Sequence, residues 1–197
     1  CVYCQLGRTL RMTNTRQEFF PLEEILAEFR EYLRGSIPFD VVTVVGEGEP
    51  TLDSRLGELI AGLKKETDKP VAVITNGALL YDAEMRRELM EADIVLPSLD
   101  AVTEEQYRKI DRPMGSIGFA EMAEGLRQFA REYQGQLWIE IMLADGMNDS
   151  PEDIAAFKEF LGTIDYDRVY LNTPVRPPAE GFVHTSAPEH IDLAARE

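Results

Sequence analysis

Short apolar runs rich in β-branched residues alternate along this chain with longer amphipathic stretches, and this alternation constrains the fold more than any other feature. The runs are residues 39–45, 70–75, 92–98, 136–143 and 167–172. Several are apolar on both faces, as parallel strands covered on two sides are. Between them, residues 22–33 place Leu22, Ile25, Leu26, Phe29 and Leu33 on one stripe, and Leu56, Leu59, Ile60 and Leu63 repeat the pattern. Residues 83–90, 121–133 and 151–161 follow as helices, and 188–197 as a last one. Pro21, Asp82 and the run Ser150-Pro151-Glu152-Asp153 supply helix-start signals. Repeated β-then-α units predict a parallel α/β sheet with right-handed crossovers. A partial barrel and a doubly wound open sheet share this periodicity, which does not separate them. No linker or low-complexity tract interrupts the 197 residues, so residues 1–197 read as one domain.

In either architecture the loops at the carboxyl ends of the strands build the active site. The unusual polar residues gather there. Gly46-Glu47-Gly48-Glu49-Pro50 follows the first run, and Asn76-Gly77 the second. The third ends in Ser98-Leu99-Asp100, and the fourth carries Glu140 and continues to Asn148-Asp149-Ser150. The fifth ends in Asn172-Thr173, with Arg176 beyond. Each has a plain structural alternative. The glycines suit a tight turn, and Asn76-Gly77 a turn of its own. Asn148-Asp149-Ser150 and Asp100 suit helix caps, and Glu140 a solvent-facing strand position. Their order along one rim makes the case for a lined pocket.

Cys1-Val2-Tyr3-Cys4 places two thiols at a spacing that serves a shared metal centre or a redox pair. A structural zinc site needs a second ligand pair, and the only histidines, His184 and His190, lie far along the chain. No apolar run reaches the ~20 residues of a membrane span. No secretory signal is visible, so a reducing cytoplasm is the expected location. The formal net charge of −16 argues against a simple polyanion-binding surface, without excluding a nucleic-acid substrate. Both termini read as cut from a longer protein.

The segment Cys1-Val2-Tyr3-Cys4-Gln5-Leu6-Gly7 resembles the back half of the CxxxCxxC signature of the radical S-adenosylmethionine superfamily. Gly48-Glu49-Pro50 resembles its GGE element, with Glu47 where the pattern has its first glycine. Thr75-Asn76-Gly77 and the stretch from Gly146 to Ser150 also fit. The chain looks closest to an Fe–S oxidoreductase group distantly related to wyosine-forming tRNA enzymes. The resemblance implies a partial (β/α)6 TIM-like barrel whose first strand lies outside this sequence. It implies a 4Fe–4S cluster on three cysteines, two of them Cys1 and Cys4, the third upstream. It further implies S-adenosylmethionine on the open iron, cleaved reductively to a 5′-deoxyadenosyl radical that takes hydrogen from an unidentified substrate. A flavodoxin or ferredoxin would supply the electron. Tyr3, Gly48, Glu49, Asn76, Ser98, Asp100, Glu140 and Asn172 are the candidates for holding the cofactor. Arg112 and Arg176 are candidates for facing substrate. The alternatives are a thiol-redox enzyme built on the CxxC, and a degenerate barrel that serves as an interaction module.

Overall fold

The computed structural model describes every residue except Leu10 and Ser36. Its centre is a five-stranded, wholly parallel sheet: β1 (Val42–Val44), β2 (Val71–Thr75), β3 (Ile94–Pro97), β4 (Gln136–Met142) and β5 (Arg168–Asn172). The spatial order is β1-β2-β3-β4-β5, the same as the order in sequence. A doubly wound sheet reverses its order at a switch point. This sheet never does, and with right-handed crossovers such an order brings the connecting helices to one face, as in a barrel.

The helices are α1 (Leu22–Arg34), α2 (Leu56–Glu66), α3 (Ala83–Leu89), α4 (Glu104–Ile110), α5 (Phe119–Glu132), α6 (Pro151–Leu161) and α7 (Pro188–Arg196). Asp82 accepts from the Glu84 N–H and caps α3. Ser150 and Asp153 form a reciprocal capping box on α6. Helix α4, only seven residues long, was not expected, although Thr103 caps it through the Gln106 N–H. Strand β1 is shorter than residues 39–45, with only Val42–Val44 paired to β2.

The main core joins Val71, Val73, Val95, Leu137, Ile139 and Ile141 of the strands to Leu56, Ile60, Met85, Leu126, Phe129 and Phe157 of the helices. Burying each large side chain contributes roughly 1.5–3 kcal/mol before chain entropy is set against it. The alternate residues face the other way. On β4 these are Trp138, Glu140 and Met142, paired across to Arg168, Tyr170 and Asn172 of β5. A second, smaller core lies under the amino-terminal loop: Val2, Ile110, Ala144, Met147 and Val183, with Tyr3 packed against it.

Candidate functional site at the strand ends

The cysteine loop is held to this second core. Val2 is fully buried, and its N–H donates to the Ile110 carbonyl at 2.8 Å. Its carbonyl accepts from the Glu180 N–H at 3.1 Å. The chain then turns tightly. The Cys4 N–H donates to the Cys1 carbonyl, and the Gly7 N–H to the Cys4 carbonyl at 3.1 Å. Gly7 has φ of 84°, which favours glycine at the close of this turn. Both thiols are free, Cys1 exposed and Cys4 half-buried. Among the described residues no three His, Cys, Asp or Glu side chains gather as a metal site. Two free sulfur donors on one turn fit two of the ligands of an iron–sulfur cluster, which is usually held by thiolates.

Asp100 joins this loop to the sheet. It is buried, and it accepts the Tyr3 hydroxyl on Oδ2 and the Met142 N–H on Oδ1 at 2.7 Å. It caps no helix. Asn148, fully buried, lies behind it: Nδ2 donates to the Asp100 carbonyl at 2.8 Å and the Met142 carbonyl at 2.9 Å. Its Oδ1 accepts from the Ala144 N–H at 2.8 Å. Ser98 bridges to Glu140 across β3 and β4, and the Leu99 N–H donates to the Glu140 carbonyl. Glu140 is half-buried rather than a solvent-facing strand residue.

At the β1 and β2 ends, Glu49 gathers four donors. Oε1 accepts from the Thr51 N–H at 3.1 Å, the Thr51 hydroxyl at 2.7 Å and the Thr75 hydroxyl at 2.6 Å. Oε2 accepts from the Asn76 N–H at 2.7 Å. The carboxylate thus ties the glycine loop to the end of β2, and Gly46 and Gly48 stand exposed beside it. Asn76 turns its Oδ1 to the Ala78 N–H, 2.9 Å away. Asn172 lies across from Met142 at the end of β5, exposed. The structure therefore joins Tyr3 to Asp100, Ser98 to Glu140, and Glu49 to the backbone of Asn76. It ties neither the Asn76 nor the Asn172 side chain into these groups. Arg176 donates to Gln5 and Arg112 to Glu180, so both rim arginines have protein partners.

A family model described as the radical SAM superfamily matches residues 1–158. The chain belongs to the radical SAM superfamily. It is 40% identical over 176 residues to a GTPase Obg of Brachyspira hyodysenteriae, covering 89% of this chain and 26% of that protein. It is 35% identical over 185 residues to a UPF0026 protein of Methanocaldococcus jannaschii, covering 93% of this chain and 57% of that protein. The chain spans about a quarter of the first relative and just over half of the second. A solved radical SAM methyltransferase from Sphaerobacter thermophilus superposes with a TM-score of 0.65 at 16% identity, over 89% of this chain and 52% of that one. That likeness is one of fold, and with the unreversed strand order it makes the sheet a partial radical SAM barrel.

In this radical SAM chain the rim is electrostatically unusual. Burial raises the Asp100 carboxyl to about 6, and Glu140 adds to the rise, while the bonds from Tyr3 and Met142 oppose it. Burial, with Asp100 next, also pushes Asp111 upward. Burial and the same two aspartates hold the Tyr3 hydroxyl protonated far above its usual range. An acid whose folded value is raised stabilises the fold at low pH and loses that contribution as pH rises. For Asp100 the window runs from its ordinary value of 3.8 to about 6. The Asp100→Asn variant keeps an acceptor for the Met142 N–H but carries no charge. Its stability should change less than the wild type's across this window, by roughly 2–3 kcal/mol, in urea melts of the metal-free protein. Parallel profiles for the two proteins would show that Asp100 does not titrate there.

Sequence reasoning overlooked Asp111, and it placed Asn148 and Asp149 on the rim with a helix cap as their plain alternative. Asp149 is buried and accepts from the Ser186 hydroxyl at 2.5 Å and the Gly146 N–H at 2.9 Å. His190 Nδ1 lies 3.0 Å from it, so the carboxylate docks the start of α7 on the β4–α6 loop. It also overlooked the grouping of Glu180 with Arg8 and Arg112, whose positions are too distant in sequence to leave a local pattern.

Proposed function

We propose that this chain is the core of a radical enzyme that reductively cleaves S-adenosylmethionine and passes a 5′-deoxyadenosyl radical to a substrate. Residues 1–197 make up its single core domain. The observation that carries this reading is the pair of free thiols on one tight turn, fastened through Val2 and Tyr3 to the carboxyl ends of a singly wound parallel sheet. Cys1 and Cys4 would hold two irons of a 4Fe–4S cluster, with a third cysteine upstream. When bound, the cluster supplies the electron that breaks the cofactor's sulfonium bond. A flavodoxin or ferredoxin is the class of donor that suits it, and a reducing cytoplasm suits the thiols.

The chain's own residues orient the cofactor. The exposed Gly46–Gly48 backbone presents carbonyls to its cationic amino group, since the Glu49 carboxylate is already engaged by four donors. Ser98 and Glu140 form the polar floor for its ribose and methionine portions, with the buried Asp100 beneath them holding Tyr3, which closes one side. Asn76 and Asn172 stand at the rim. The charge of −16 on these residues gives no support to a nucleic-acid substrate, which stays open for the whole protein.

The reading is tested by expressing the full-length gene product anaerobically and reconstituting it with iron and sulfide. 5′-Deoxyadenosine is then sought after addition of S-adenosylmethionine and a strong reductant. Its formation supports the reading. Failure to load any cluster overturns it in favour of a thiol-redox enzyme.

Glu49→Gln probes the glycine loop. Glutamine offers one acceptor oxygen where the carboxylate offers two, so either Asn76 or the threonine pair loses its partner. Stability should fall by about 1–2 kcal/mol in urea melts. S-Adenosylmethionine affinity should fall with it while cluster content holds. Unchanged affinity would remove the loop from the cofactor site.

A further inference from the structure

The Glu180 carboxylate is among the most enclosed charged groups of the chain, with its side chain 6% exposed. Two guanidinium groups converge on it. Arg8 Nη2 lies 2.7 Å from Oε2, and Arg112 Nη1 lies 2.5 Å from Oε1, so each oxygen has its own cation. Arg8 follows Gly7 at the end of the cysteine turn. Arg112 sits just past α4 with φ of 52°, the only described non-glycine residue in the left-handed region. The backbone of Glu180 takes part as well. Its N–H donates to the Val2 carbonyl at 3.1 Å, and its carbonyl accepts from the Val183 N–H at 3.1 Å. The two arginines hold the carboxyl at about 2, so the charge persists at any physiological pH.

Cys4 thus lies between two attachments to one residue: Val2 through the backbone, Arg8 through the side chain. The sulfur itself makes no described hydrogen bond that would fix it. Groups that orient metal ligands act in this way, through contacts made one step beyond the ligand.

We infer that Glu180 is a positioning residue for cluster binding, which fixes the cysteine turn by gripping Val2 on one side of Cys4 and Arg8 on the other, with Arg112 as the opposing anchor. The inference rests on the proposed function, since it gives the turn a cluster to hold.

The test uses the anaerobically reconstituted full-length protein and follows the loss of the cluster's visible absorbance to an iron chelator. Glu180→Gln should speed that loss about tenfold, the lower range for altered supporting groups around a metal. Arg8→Gln should speed it in the same direction. Its side chain is 72% exposed, so the substitution leaves the barrel folded even if the Glu180 variant fails to fold. Arg8→Lys, which keeps a cation within reach of one carboxylate oxygen, should bring the rate back toward the wild-type value. The double variant Glu180→Gln, Arg8→Gln should lose its cluster no faster than Glu180→Gln alone, because the two act through one contact. In both glutamine variants the electron paramagnetic resonance signal of the reduced cluster should shift on adding S-adenosylmethionine by a different amount from the wild type's. A merely structural residue would leave that shift alone. A wild-type rate of loss in Arg8→Gln, or strictly additive effects in the double variant, overturns the inference. A wild-type protein that loads no cluster overturns the proposed function instead, and this inference with it.

Discussion

Replacing Cys4 with alanine is expected to leave the fold standing and to reduce 5′-deoxyadenosine formation to the background of the reductant alone. The turn that carries Cys4 is held by its neighbours: the buried Val2 side chain and backbone, the Tyr3 hydroxyl on Asp100, and Arg8 on Glu180. The half-buried Cys4 thiol adds only a small apolar contact to this. Its loss should therefore change the stability of the metal-free protein by within about 1 kcal/mol. Chemistry is another matter. If Cys4 holds the cluster as proposed, alanine removes one of the thiolates on which such a cluster depends. The two outcomes are separated by measuring urea melts beside iron content and product. A Cys4→Ala protein that still makes 5′-deoxyadenosine would take Cys4 out of the cluster. A protein that fails to fold would show that the thiol packs more tightly than the turn geometry indicates.

Asn148→Ala should cost the fold more than any other substitution considered, about 3–4 kcal/mol in urea denaturation. Three backbone groups depend on this one amide: the buried Ala144 N–H and Asp100 carbonyl and the part-buried Met142 carbonyl. Each buried group left unpaired costs on the order of 1–3 kcal/mol, and alanine replaces none of the bonds. The damage falls where the end of β3, the end of β4 and the β4–α6 loop meet, which is also where Asp100 receives Tyr3. Asn148→Asp keeps the shape and the acceptor but loses the amide donor and brings a second carboxylate toward the buried Asp100. It should be about as damaging near neutral pH and partly relieved in acid. A cost below about 1 kcal/mol for Asn148→Ala would mean that water enters and satisfies the three groups.

Much of this could be seen in the sequence wherever the signal was local. Asp82 and Ser150 cap the helices they precede, because a cap is a contact over two or three residues. The apolar runs became strands, with β1 trimmed to three residues where pairing with β2 ends. The short α4 had its Thr103 cap in plain view but too little apolar pattern around it to stand out. The candidate residues were legible for a different reason, their resemblance to a known ordered set of motifs. What each side chain touches was not. Glu49 looked like a free acceptor and is a clasp between two loops. Asp100, a candidate for the cofactor with a helix cap as its plain alternative, is the partner of Tyr3, 97 positions away. Glu180 gave no sign at all, since its partners lie 172 and 68 positions off.

By itself the sequence determined that this chain would make parallel strands and covering helices, because period and capping are properties of neighbouring residues. It also determined that two thiols would stand three positions apart in the chain, whatever the fold. It could not choose between a barrel and a doubly wound sheet, since both bury the same alternating pattern. Only the tertiary structure decided that, through which strand edges pair: each strand lies beside the one before it, and the order never reverses. The same assembly decided that Val2, Tyr3 and Arg8 dock on α4, Asp100 and Glu180, because contacts over so many residues form only once the sheet has brought their elements to one rim.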